Sequence, residues 1–298
     1  MKDLSTQATN QVNIVGKLVS ASFKEDTAKD KPYASCTYTV RVNQTIEGKE
    51  EINEIELSMF ASKYTNAGKA HPGYKNIQDM KTWKTVQEYG EDMADTIRTT
   101  TGSLRENYFV TKGGQFIDGW RINTSFTSLG GKGELATFVA DIFIMDMHDE
   151  LDSDGDPTGR LIVKGGLVQY NGKLDVIEFI AEGHDQVDYI TRNWEINDTV
   201  QVKGRIRYTS KETARPATES SWGEDIPEAT TRKVRELIIT TGSDEGFDDE
   251  FAYDPVEIKK AFNVRKAEIE QAQLNAKTNK SAKKTEKAAS SEEKFGWE

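Results

Sequence analysis

Two short runs constrain this chain more than anything else in it: Asn10-Gln11-Val12-Asn13-Ile14-Val15-Gly16-Lys17-Leu18 and Asp198-Thr199-Val200-Gln201-Val202-Lys203-Gly204-Arg205-Ile206-Arg207. In each, apolar residues fall at alternate positions, which puts them on one face of a strand. Each carries a glycine where the strand has to bend. They read as the first and fourth strands of a small Greek-key barrel, yet they lie too far apart to belong to one. The chain has 298 residues, enough for two domains of ordinary size. Two barrels in tandem are therefore expected.

The remaining pattern agrees. Strands are expected over 12–23, 35–44 and 54–61. In the second, Cys36, Tyr38, Val40 and Val42 alternate with Thr37, Thr39, Arg41 and Asn43. In the third, Ile55, Leu57 and Met59 point one way and Glu56, Ser58 and Phe60 the other. An insertion rich in Gly, Lys and Tyr follows Tyr64. A helix is expected over 79–93, with Trp83, Val86, Tyr89 and Met93 on one side. Two strands close the unit. One holds Thr96-Ile97 and Gly102-Ser103-Leu104. The other spans 119–127, with Trp120, Ile122 and Phe126 inward. Strand, strand, strand, helix, strand, strand is the order of an OB-fold, a five-stranded barrel plugged by a helix.

The order then recurs. Strands are expected over 136–145, 161–170 and 174–181, with Asn171-Gly172 as a tight turn between the last two. A helix over 185–194 buries Val187, Ile190 and Trp194. Strands over 200–209 and 233–240 complete the unit. The fold class expected is mainly β: two tandem OB-fold Greek-key barrels, each with a capping helix, plus a C-terminal helix and a disordered tail. The units are 10–128, 134–243 and, for the acidic linker, helix and flexible tail, 244–298. Asp254-Pro255-Val256-Glu257 is a helix start, with Asp as the cap, Pro at the first helical position and an acid three residues after the cap. The apolar side of that helix is narrow. From Lys277 the composition becomes Ala/Lys/Ser/Thr-rich, which favours disorder.

Composition excludes more than it identifies. Charged residues make up 30% of the chain and mean hydropathy is −0.68, so no apolar stretch suits a bilayer span. The first residues lack a signal-peptide core, and a cytoplasmic location is expected. The single cysteine, Cys36, allows no internal disulfide. His71, His148 and His184 fit no metal or triad spacing. Asp152-Ser153-Asp154-Gly155-Asp156 looks like a calcium loop, but Pro157 and Val163 stand where it needs a glycine and a bidentate carboxylate. No catalytic motif stands out, so no enzyme, cofactor or metal is expected. Net charge is −11, and 244–257 alone holds seven acids and no base. Phosphate contacts depend on local patches of Lys and Arg, not on the sum.

The residues also carry a family resemblance. Asn10, Val12, Ile14, Gly16 and Leu18 resemble the opening Asn-x-Val-x-Leu-x-Gly-x-Leu of bacterial-type single-stranded DNA-binding proteins. Val200, Val202, Gly204 and Ile206 resemble that family's fourth strand. Two barrels with a lysine-rich linker and an acidic, aromatic tip look most like the forms encoded by bacteriophages. The 64–79 insertion has no counterpart in the usual bacterial form, and the tip lacks its Asp-rich, Pro-Phe ending. The resemblance implies a protein that coats single-stranded DNA during replication or recombination, with a tail for partner proteins or autoregulation.

Capturing single strands needs cations along the phosphates and exposed rings under the bases. Lys203, Arg205 and Arg207 alternate on one strand. Arg41 and Phe60 fall on the outward phase of strands two and three in the first barrel, Lys63 and Tyr64 come just after Phe60, and Lys17 lies on strand one. Arg105, Tyr108, Phe109 and Lys112 lie between strands four and five. Tyr170 flanks the Asn-Gly turn and Trp222 lies in the long second loop. Phe295, Trp297 and Glu298 are the candidate partner-binding tip. Trp83, Trp120 and Trp194 fall on apolar faces and are expected in the core. Two other readings stay open: a virion structural protein built of tandem barrels, and an RNA-binding regulator of the same fold.

Overall fold

The Asn10 run forms the first half of β1 (Asn10–Ala28), which turns back through β2 (Lys31–Ile46) and β3 (Lys49–Ser62). This is a computed structural model, and it describes residues 1–28, 31–46, 48–99, 101–111, 114–214 and 229–292. Then come α1 (Pro72–Met80), α2 (Val86–Tyr89), β4 (Thr96–Thr99), β5 (Gly102–Glu106), the small hairpin β6 (Phe109–Val110) and β7 (Phe116–Ile117), β8 (Trp120–Thr124) and β9 (Thr127–Leu129). Strand four of the first barrel is thus split into β4 and β5, and strand five into β8 and β9. The circuit closes because β3 pairs in parallel with β8, β8 pairs with β5, and β4 and β5 return to β1.

The second barrel repeats this circuit with unbroken strands. It comprises β10 (Leu135–Leu151), β11 (Pro157–Val168), β12 (Leu174–Ala181), α3 (His184–Asn193), β13 (Thr199–Ala214) and β14 (Ala229–Gly242). Here β12 pairs in parallel with β14, and β13 returns to β10. The chain is therefore mainly β, with two tandem OB-fold barrels. They share one sheet. Along β1, β2 pairs from Lys17 onward, while β10 pairs antiparallel from Asn10 to Val15.

The motif residues have separate structural duties. Asn10 Nδ2 donates to the Leu104 carbonyl at 2.8 Å, and its Oδ1 accepts the Leu104 N–H at 2.8 Å. The side chain thereby imitates a strand at the start of β1. A Cβ on Gly16 would sit 2.1 Å from the Arg41 carbonyl oxygen, and one on Gly204 would sit 1.9 Å from that of Ile238. Glycine is required at both because a neighbouring backbone comes that close. Asn171 and Gly172 both have positive φ, as the expected tight turn needs.

The main cluster of apolar side chains runs through both barrels, from Leu18, Tyr38 and Leu57 to Phe138, Phe179 and Ile206. Buried Tyr38 satisfies its hydroxyl on Thr127 Oγ1 at 2.6 Å. Burial pushes that phenol up to about 12. Val187, Ile190 and Trp194 pack inward as expected.

Two expectations are corrected. The first capping helix is α1, which starts seven residues before the expected 79–93 helix, within the stretch read as an insertion, and overlaps it only at Asp79 and Met80. His71 caps it, its Nδ1 accepting the Gly73 N–H at 3.0 Å, and Pro72 opens it. Asn76 locks it to the barrel by hydrogen bonds to both backbone groups of Thr127, at 2.8 and 2.9 Å. Thr85 then caps the separate single turn α2, and Tyr89 and Met93 are exposed. Phe126, expected inward, is also exposed. Thr127 takes the buried position because its hydroxyl completes the Tyr38 contact.

The helix starting at Asp254-Pro255 is α4 (Pro255–Glu292). Asp254 Oδ1 accepts the Val256 N–H at 2.8 Å. Its narrow apolar side finds a partner on the second barrel. Ile258 and Phe262 pack with Phe143, Val168, Leu174, Tyr253 and the N-terminal Leu4 and Ala8. Among the described residues, no helix is long and apolar enough to cross a membrane. The Asp152 loop is a hairpin turn whose carboxylate accepts the N–H groups of Asp154 and Asp156.

Candidate nucleic-acid interface

The pleat decides what the first barrel shows to solvent. On β2, Ala34, Cys36, Tyr38 and Val40 are buried, which turns Tyr33, Ser35, Thr37, Thr39 and Arg41 outward. On β3, Ile55, Leu57 and Met59 are buried, which turns Glu54, Glu56, Ser58 and Phe60 outward. Register then builds a row across four strands: Thr37 opposite Ser58, Ser58 beside Asn123, Asn123 opposite Ser103. Every member of the row is short and polar, so another chain can approach the sheet closely there.

Aromatic rings stand on one side of this row. Phe60 is 62% exposed, and its ring centroid lies 5.1 Å from that of Tyr33. Tyr64 is also exposed, with Lys63 Nζ 5.7 Å from its ring centroid. Exposed Arg121 lies on the other side, opposite Arg105. Phe60 occupies a phase of β3 that packing does not demand, and its only ring neighbour among the described residues is Tyr33.

The other sequence candidates are distributed unevenly. Lys17 Nζ donates to the Ala94 carbonyl at 2.9 Å, tying down the chain before β4. Arg41 is held by Glu54 at 2.7 Å and Glu91 at 2.5 Å, and these bonds raise its pKa further. Arg105 Nε donates to Asp175 on the second barrel at 2.8 Å. Tyr108 lies 5.5 Å from Phe116, centroid to centroid, while Phe109 is 56% exposed. Tyr170 and Lys203 are exposed. Lys112, Trp222, Phe295, Trp297 and Glu298 lie outside the described residues.

Arg205 and Arg207 do not extend Lys203 into an open cationic strip. Arg205 is buried; it donates to Glu51 on β3 at 3.0 Å and to Glu182 at 2.5 Å. Arg207 donates to Glu51 at 3.2 Å, Glu182 at 2.9 Å and Glu236 at 2.8 Å. Burial disfavours its charge, but the bonds to Glu182 and Glu236 outweigh burial and hold its pKa above the ordinary arginine value. Arg160 bonds Glu236 at 2.8 Å and Glu150 at 3.2 Å. The physical reason is the partner barrel. Glu51 closes over β13, and Asn53 beside it accepts the buried Tyr208 N–H at 2.6 Å.

One feature was not legible in the sequence. The segment joining β5 to β8 leans toward the second barrel and encloses a cleft of about 730 Å³. Phe109 and Trp120 line one side and Val176 and Ile180 the other, with Lys233 and Arg235 at the rim. Trp120, expected in the core, is half-buried at this boundary. The helical-or-strand period of one segment carries no signal for a loop crossing onto another domain.

The sequence and the fold both have matches among known proteins. The family model described as YorF matches residues 8–275. Among solved structures, the wild-type single-stranded DNA-binding protein from Thermus aquaticus superposes with a TM-score of 0.50 at 12% identity, covering 80% of this chain and 93% of its own. A deletion mutant of that Thermus aquaticus protein gives 0.49 at 13%, covering 82% and 97%. A search of the curated proteins returns no match.

Proposed function

The chain belongs to the YorF family, and we propose that it is a non-enzymatic single-stranded DNA-binding protein. In this reading it coats DNA exposed during replication or recombination, with little sequence preference, as the bacteriophage-type resemblance implies. Residues 10–128 and 134–243 are its two barrel units. The observation that carries the reading is the ring pair Tyr33–Phe60 on the outward face of strands two and three, beside Lys63 and Tyr64. That face is where OB-folds receive oligonucleotides. Bases lie flat on the rings, each stack contributing about 1–3 kcal/mol irrespective of base identity. The short Thr37–Ser58–Asn123–Ser103 row lets the backbone pass close to the sheet, and Lys63 and Arg121 meet phosphates. Arg205 and Arg207 support the site by fixing one barrel on the other.

Because stacking carries most of the affinity, the acidic net charge is tolerable. With only about two phosphates neutralised on this face, log K should fall with log salt at a slope of roughly −1.4. The C-terminal region recruits replication proteins, or competes with DNA through the acidic run at 244–257. The test is a fluorescence anisotropy titration of labelled oligo-dT across a salt series, with unlabelled duplex and RNA of equal length as competitors. Preference for the DNA single strand and a shallow salt slope are expected. Equal affinity for duplex removes the stacking mechanism, and preference for RNA points to a regulator that reads the 2′-hydroxyl.

A further inference from the structure

The inter-barrel cleft is separate from the Phe60 face, and its two walls come from different barrels. One wall is the connection between strands four and five of the first barrel, with exposed Phe109 opposite Ile117 in its small hairpin and Trp120 where β8 begins. The other is strand three of the second barrel, where Val176 and Ile180 stand on the side away from core residues Ile177 and Phe179. Loops between strands four and five and the faces of strands two and three are the two ligand-contacting parts of this fold. Here one barrel's loop is laid across the other barrel's face.

We propose that this cleft is a second nucleic-acid subsite, which takes an unstacked base against Phe109 and Trp120 and holds the flanking phosphates with Lys233 and Arg235. The inference rests on the DNA-binding reading above and extends it to both barrels. Charge sets which part of the nucleotide enters. Glu150 and Glu236 lie in the cleft but are bonded to Arg160 at 3.2 and 2.8 Å. Asp118 and Glu178 are exposed at its mouth. Such a cavity repels phosphate and admits a neutral base, leaving the backbone outside. There Lys233 and Arg235 are exposed on β14. Arg235 is kept in place over the Tyr208 ring, 4.4 Å from its centroid. A strand bound this way bridges the barrels, so its length requirement exceeds that of one barrel.

Irradiating the full chain bound to oligo-dT carrying scattered 5-iodouracil, then mapping adducts by peptide mass spectrometry, tests the inference. Adducts are expected at Phe109 or Trp120 as well as at Phe60 or Tyr64. Phe109→Ala should weaken oligo-dT binding about tenfold with unchanged thermal melting, since the ring is exposed. Lys233→Glu should weaken it too and steepen nothing, lowering the salt slope instead. Adducts confined to Phe60 and Tyr64, with Phe109→Ala binding like wild type, overturn the cleft and leave the DNA-binding reading standing. Absence of binding in the wild-type control overturns both.

Discussion

Replacing Arg207 with methionine separates two roles that the sequence alone could not distinguish. If Arg207 staples the barrels, the substitution removes one guanidinium and leaves Glu51, Glu182 and Glu236 facing one another. The Arg207 side chain is 19% exposed and its partners 14–30% exposed. Removing one partner from a fully buried pair costs about 3–5 kcal/mol, and from an exposed pair about 0–1 kcal/mol. Arg205 still serves Glu51 and Glu182, and Arg160 still serves Glu236. The expected loss is therefore intermediate, about 2–3 kcal/mol, read from urea unfolding at neutral pH. The pH dependence has a definite sign. Burial raises the Glu236 pKa, but hydrogen bonds from Arg160 and Arg207 more than offset this and hold it below 4.5. A carboxyl depressed in the folded state stabilises above its unfolded value and stops doing so as pH falls through the folded one. Arg207→Met forfeits part of that term, so its gap to wild type should narrow as pH drops below about 4.5. A loss under about 1 kcal/mol coupled with much weaker oligo-dT binding refutes the staple and returns Arg207 to the phosphates.

Further outcomes follow from the same contacts. Gly204→Ala places a methyl 1.9 Å from a carbonyl oxygen of β14. It should lower stability by at least about 1–3 kcal/mol, and an unchanged thermal midpoint would show that the β13–β14 approach is looser. Cys36 is buried and burial pushes its thiol up to about 12, so a thiol reagent should label it only after unfolding; rapid labelling of the native chain contradicts this core position. Ending the chain after Ala276 retains the contacts of Tyr253, Ile258 and Phe262 and should leave the unfolding midpoint intact. Tighter oligo-dT binding at low salt after deletion of residues 244–298, which carry the acidic run, supports tail competition, while unchanged binding counts against it.

Much of the fold was legible because barrels leave a strong local signature. Period-two runs such as Cys36–Val42 and Phe138–Ile144 set the buried face, and Gly16 and Gly204 mark where backbones nearly touch. The first helix was misplaced because its lock, Asn76 on Thr127, joins residues 51 apart in sequence. In the candidate site, Phe60 could be read from parity alone, since an aromatic in the wet phase of β3 has no packing reason to be there. Arg205 and Arg207 could not. Their partner Glu51 lies 154 and 156 residues away, on another barrel. Lys233, Arg235 and Trp120 gain their meaning only once the two barrels meet.

The most direct measurement compares oligo-dT affinity of Phe60→Ala with that of wild type by anisotropy, with the unfolding midpoint of each recorded alongside. Phe60 is 62% exposed, so the midpoint should stay put while affinity falls by roughly tenfold, one lost base stack. Unaltered affinity at full stability would mean that single-stranded DNA does not lie on this face.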